Sequence, residues 1–235
     1  MNEGAFFDSI NKCNSFLKEL DVLQKVNHIN IKKSSIHKFS RDFIETCRNK
    51  TYEDMYKCAM ENDDYDFLLK DGSFFQFSID VDRSGENVRL AYYPSICQIS
   101  YSQFLRDELD VVYEEVGDEF IELYHQFVIE QIPDAVTPLR YDYNERIYTE
   151  MIHSAAHLHF GHEENIRVPI NKKMKPLLFV KLVTEYYFYE QWKKLISDRR
   201  DELLCAGEDF EEINTSFFSS DDQRIPYIHV STKRV

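Results

Sequence analysis

Along the first part of the chain, apolar positions recur three and four residues apart: Phe6, Phe7, Ile10, Cys13, Phe16, Leu17 and Leu20. That spacing predicts an amphipathic helix from Glu3 to Leu23. Two further helical stretches, Ser40 to Cys47 and Tyr52 to Met60, follow the basic segment Lys32 to Arg41 and are expected to pack with the first. From Tyr65 the pattern changes to short aromatic runs, Phe67 to Leu69, Phe74 to Ile79 and Val88 to Tyr93. The turn chemistry of Asp71-Gly72 and of Arg83 to Asn87 separates them, which predicts a three-stranded antiparallel meander.

The helical period returns from Tyr101 to about Ile132, where Phe104, Leu105, Leu109, Phe120, Tyr124 and Phe127 share one face and Gly117 marks a point of interruption. Leu139 to Tyr143 and Ala156 to Phe160 read as strands, and Pro176 to Leu204 as a long helix with proline in its first turn. The segment Gly207 to Pro226 is acidic and turn-like, and Tyr227 to Val230 reads as an edge strand. The expected fold class is α+β: N-terminal helices, a central mostly antiparallel sheet, and long helices covering one face. One domain over residues 1–235 is expected, with a helical part at 1–63 and a sheet-and-helix part at 64–235.

Composition supports a packed core, with 43% hydrophobic and 14% aromatic residues and only six glycines and six prolines. The first thirty residues carry charges throughout, so no export leader is expected. The run Pro176 to Val180 falls far short of the roughly 20 apolar residues that cross a bilayer, so no membrane association is expected. Cys13, Cys47, Cys58, Cys97 and Cys205 are scattered without a CxxC pair, which fits reduced thiols and a cytoplasmic location.

The net charge of −14 argues against indiscriminate binding of polyanions, but the charge is unevenly spread. Ten carboxylates and no Lys or Arg lie between Asp107 and Asp134, and eight more between Asp201 and Asp222. These stretches read as solvated surface or as a docking face for a protein partner. Between Asn165 and Arg200, nine basic residues face three acids, leaving a surplus just after the chain's densest histidine cluster.

That cluster is His153, His157, His159 and His162, four of the eight histidines within ten residues. In a strand, His157 and His159 project from one face while Leu158 and Phe160 take the other. Arg140 and Asp142 share a face in the same way. Two chemistries suit such a set. His157 and His159 as acid and base, with Asp142 orienting a ring and Arg140 or Arg167 stabilising a phosphoryl group, is ribonuclease chemistry. Alternatively His153, His157, His159 and His162 hold a divalent metal such as zinc, with Asp142 completing or supporting the shell. The plain reading is a wet strand face beside an Arg140–Asp142 ion pair. No GxxxxGK, GxGxxG, HExxH or GxSxG signature occurs, which removes the usual support for triphosphate hydrolysis, dinucleotide chemistry and serine hydrolysis.

The pattern Arg140-Tyr141-Asp142-Tyr143, His153, His157-Leu158-His159-Phe160-Gly161, Arg167-Val168-Pro169 and an aromatic helix from Tyr186 to Trp192 resembles the bacterial family known as domain of unknown function 2290. Where many members have proline after the first histidine, this chain has Ser154. An Arg-Tyr-Asp strand followed by a histidine-rich strand is also similar to small ribonuclease-type toxins of toxin–antitoxin pairs. Together these lead to the expectation of a phosphodiesterase or ribonuclease-like effector of a bacterial toxin or phage-defence system, acting on RNA or a nucleotide. The alternative is a non-enzymatic interaction component whose histidines are structural or bind metal.

Overall fold

The computed structural model describes residues 1–31, 38–96, 101–130, 137–161, 166–203 and 209–230. Within them the chain runs α1 (Glu3–Glu19), β1 (Leu23–Val26), α2 (His28–Ile31), α3 (Arg41–Asn49), α4 (Tyr52–Glu61), β2 (Phe67–Leu69), β3 (Phe74–Asp82) and β4 (Gly85–Tyr93). It continues through α5 (Tyr101–Leu109), α6 (Tyr113–Val116), α7 (Ile121–Glu130), β5 (Leu139–Asn144), β6 (Ala156–Phe160), β7 (Ile166–Pro169), β8 (Lys172–Met174), α8 (Pro176–Tyr187), α9 (Tyr189–Leu203) and β9 (Phe210–Glu212). The fold is α+β. Strands β1 to β7 form one sheet in sequence order with every neighbouring pair antiparallel, and β8 pairs separately with β9. Among the described residues no helix is long and apolar enough to cross a membrane.

The period-two alternation of the strands decides which side chains meet the main core. Phe75, Phe77, Val88, Leu90, Tyr141 and Leu158 face α1 and α8, and the Phe16 ring of α1 meets Trp192 edge-on at 5.9 Å. The sequence predicts helices over one face only, yet both faces are covered. Leu68 and Phe74 are apolar on the second face as well, and α3 and α4 pack there through Phe43, Met55 and Tyr56. For the same reason α1 does not pair with α3 and α4: its apolar stripe matches α8.

Three further expectations change. The long helix expected from Tyr101 is divided into α5, α6 and α7, because Asp110 and Gly117 adopt left-handed backbone at φ 55° and 53°. The helix expected from Pro176 breaks at Phe188 (φ −125°, ψ 45°), which turns both Phe188 and Trp192 into the core. Tyr227 to Val230 is not a strand: it contributes a single parallel bridge, Ile170 to Ile228.

The α3–α4 hairpin is the element that shapes the site, and it is pinned at several points. Ser40 caps α3 by accepting from the Phe43 amide, and Thr51 and Asp54 form a capping box on α4. The Tyr52 hydroxyl donates to the Pro94 carbonyl at 2.6 Å and Tyr56 to that of Gly72 at 2.8 Å, tying α4 to the open end of the β3–β4 hairpin, where Phe74 pairs with Tyr93. Just before α3, Lys38 and Asp66 form a fully buried ion pair at 2.6 Å.

Candidate functional site

Register carries the site across the sheet. On the face opposite the main core, Gln76, Ala91, Arg140, His159 and Arg167 stand in one cross-strand row from β3 to β7. Ser78, Arg89, Asp142, His157 and Pro169 form the next row. The chain's chemistry-bearing side chains therefore converge from five strands, with β5 and β6 at the centre.

Asp142 is the hub. Its Oδ1 accepts from Arg89 Nε and its Oδ2 from Arg140 Nε, each at 3.0 Å. His159 Nε2 stands 3.3 Å from Oδ2, in ion-pair range but off the axis of a hydrogen bond. Burial pushes the Asp142 carboxyl up, but the contact with His159 and the charges of Arg89 and Arg140 overcome it and hold the group well below the usual carboxylate range. Asp142 is thus a negative charge at neutral pH.

His157 and His159 meet edge to face, with centroids 4.6 Å apart, and His153 meets His157 at 5.1 Å. His157 Nδ1 lies 3.0 Å from the Ser154 carbonyl, which only accepts, so Nδ1 carries the proton and Nε2 keeps its lone pair. Burial, with the neighbouring His159, pushes the His157 pKa down to about 4. His159 is buried, and neither ring nitrogen has a hydrogen-bond partner among the described residues. Orphaned buried donors and acceptors are rare and cost about 1–3 kcal/mol each, so such a ring calls for a reason beyond stability.

The lowered His157 pKa has a measurable consequence. An unfolded histidine titrates near 6.5, so between that pH and about 4 the unfolded chain binds the proton more readily, and stability rises with pH there. Urea denaturation is expected to show stability falling by up to about 3 kcal/mol as pH drops from about 6.5 to about 4. His157→Asn is expected to flatten that window; an unchanged slope in the variant would assign the acid sensitivity elsewhere.

A cavity of about 380 Å³ opens between this face and α3. Its floor includes Gln76, Ser78, Arg89, Arg140 and His159, and its roof Phe43, Ile44, Cys47 and Arg48. Three arginines and a histidine line it, and no carboxylate does among the described residues, in a chain of net charge −14. Such a cavity attracts anions. Burial pushes the Cys47 thiol up to about 12, so it stays protonated and is no nucleophile.

Of the residues singled out in the sequence, Arg140, Asp142, His157 and His159 come together as described. Arg167 is exposed on β7 opposite His159, and His153 flanks His157 from a Thr149 bridge. His162 lies outside the described residues. Arg89 is the member that sequence reasoning missed. Its signal was the Val88-Arg89-Leu90 alternation, but only the pairing of β4 with β5 brings it to Asp142. Of the metal-ligand candidates, Asp142, His157 and His159 have donor atoms within 4.8 Å of one another, a set resembling catalytic zinc sites with an open position. Both Asp142 oxygens already serve arginines, however, so a cation would sit against two guanidinium charges. The electrostatics favour an anion. The acids of α5 to α7, such as Asp107, Glu108, Glu114 and Glu115, are exposed to solvent.

Fold and site together define an antiparallel α+β protein with a His–Asp–Arg cluster, of which Arg89, Arg140 and His159 reach the floor of a cavity lined by arginines. The model of the family described as "Uncharacterized conserved protein (DUF2290)" matches residues 18–230, and the chain belongs to that family. No curated protein and no solved structure matches the chain.

Proposed function

We propose that the protein is a metal-independent phosphodiesterase that cleaves RNA. The observation that carries this reading is the arrangement on one sheet face: His157, kept neutral, adjoins His159, whose ring nitrogens have no hydrogen-bond partner among the described residues, and His159 lines a cavity with Arg48, Arg89 and Arg140 and with no carboxylate among the described residues.

In the proposed reaction, His157 Nε2 takes the proton from a ribose 2′-hydroxyl as the 2′-oxygen attacks phosphorus. The bond from phosphorus to the 5′-oxygen breaks, and His159 as general acid delivers a proton to that leaving oxygen. Arg89 and Arg140 face the non-bridging oxygens, where negative charge builds, and Asp142 fixes both guanidinium groups while its negative charge lies 3.3 Å from His159 Nε2. The products are a 2′,3′-cyclic phosphate and a 5′-hydroxyl end. A setting as a toxin or phage-defence effector rests on the resemblance to small ribonuclease toxins and is part of the proposal.

Incubation of the purified chain with mixed RNA is expected to give 2′,3′-cyclic ends at the same rate with and without a chelator. Wild-type cleavage no greater than that of His157→Ala would reject the reading and favour a non-enzymatic interaction protein. Loss of cleavage on chelation would transfer the chemistry to a metal held by Asp142, His157 and His159.

A further inference from the structure

This inference rests on the phosphodiesterase reading and narrows its substrate. We infer that the cavity under α3 receives a single nucleotide of an unpaired RNA strand, with its phosphate at Arg89, Arg140 and His159 and its base against Phe43 and Tyr93.

The size of the space is the first argument. Ligand pockets run from about 300 to 1,000 Å³, and this one, at about 380 Å³, lies near the lower end, with room for one nucleoside monophosphate rather than a stacked pair. The division of its lining is the second. Gln76, Ser78, Arg89, Arg140 and His159 make one part of the lining cationic and hydrogen-bonding, whereas Phe43 and Ile44 of α3 with Tyr93 of β4 make another part apolar and aromatic, Phe43 and Tyr93 meeting edge to face at 6.2 Å. A phosphate and a base need those two surroundings, side by side. Inorganic phosphate would use only the first.

The roof supplies the third argument. Tyr52 and Tyr56 tie α4 to the open end of the β3–β4 hairpin and Phe43 of α3 packs on Tyr93, so α3 lies over the sheet and the floor is reached by a group inserted beneath it. Bases within an A-form duplex are stacked and paired, and its deep, narrow major groove admits no such element. A splayed nucleotide of a single strand fits, as in most sequence-specific RNA recognition, where unstacked bases rest on aromatic side chains. Arg48 is exposed on α3 at the rim, placed for the phosphate of the adjoining nucleotide.

Calorimetric titration of the full chain with uridine and adenosine 3′-monophosphates, ribose 5-phosphate and inorganic phosphate tests the binding. Cleavage of one oligoribonucleotide, single-stranded or annealed to its complement, tests the consequence. At least one nucleotide is expected to bind tenfold or more tightly than ribose 5-phosphate and inorganic phosphate, and the single strand to be cleaved at least tenfold faster than the duplex. Phe43→Leu is expected to remove the nucleotide's advantage while phosphate binding persists. Because Phe43 also belongs to a buried cluster, Cys47→Phe, which fills the cavity from its roof, serves as a second variant with the same expected outcome. Equal binding of nucleotide and phosphate, or equal cleavage of both RNA forms, overturns the inference while leaving phosphodiester cleavage standing. Preferential nucleotide binding without cleavage of either RNA overturns the phosphodiesterase reading and supports the pocket.

Discussion

Replacing His159 by alanine is expected to lower RNA cleavage by about 10²- to 10⁴-fold, the usual contribution of a positioned general acid, while the unfolding midpoint stays close to that of the wild type. The pairing of those two outcomes follows from the ring's surroundings. His159 is buried, and truncation removes no aligned hydrogen bond from either ring nitrogen. What is lost is packing against His157 at 4.6 Å and the off-axis approach to Asp142. What is relieved is the cost of two unsatisfied buried nitrogens, about 1–3 kcal/mol each. These terms oppose one another, so stability moves little. A histidine retained for structure gives the reverse, a lower midpoint with turnover intact, and that pair of results would sink its assignment as the acid. The comparison needs both measurements on the same preparations, cleavage by end-group analysis and unfolding by circular dichroism.

The same residue shows how far the sequence could be read. Strand alternation is local information, and it is enough to place His157 with His159 and Arg140 with Asp142 on shared faces, with Leu158 and Tyr141 turned to the core. Which strands are neighbours is not local. Arg89 reaches Asp142 across 53 positions of chain, through the pairing of β4 with β5, and nothing near Arg89 announces it. The cavity is equally non-local, since its roof comes from α3 and its floor from β3 to β6. Arg167 was picked out for its charge, yet what aligns it with His159 is β7, a four-residue strand ending in proline and too short to stand out by alternation. Helix breaks at Asp110 and Phe188 escaped for a different reason: apolar spacing continues across both, and only the backbone angles reveal the turn.

Asp142→Ala is expected to have the largest effect on stability, about 3–5 kcal/mol, the range found when one partner of a buried ion pair is removed. For a chain of this size that is a fall in melting temperature of roughly 6–20 °C. The charges left behind decide the magnitude. Arg140 is 19% exposed and stays under α3 without the carboxylate that accepts its Nε–H, whereas Arg89 is 50% exposed and can turn its guanidinium to water. Most of the cost should therefore come from Arg140. Adding Arg140→Ala to the Asp142→Ala background is expected to restore part of the loss, while Arg89→Ala in that background changes little. Acid provides a second check with a defined sign. Because the folded carboxyl titrates below its unfolded value of about 3.9, the contribution of Asp142 is fully present above that pH and declines as pH falls further. The wild type and Asp142→Ala should then converge in stability below about pH 4, a region distinct from the His157 window above it. If instead the gap between them persisted undiminished into strong acid, Asp142 would act through packing rather than charge, and the arginines could no longer be treated as held in place by it.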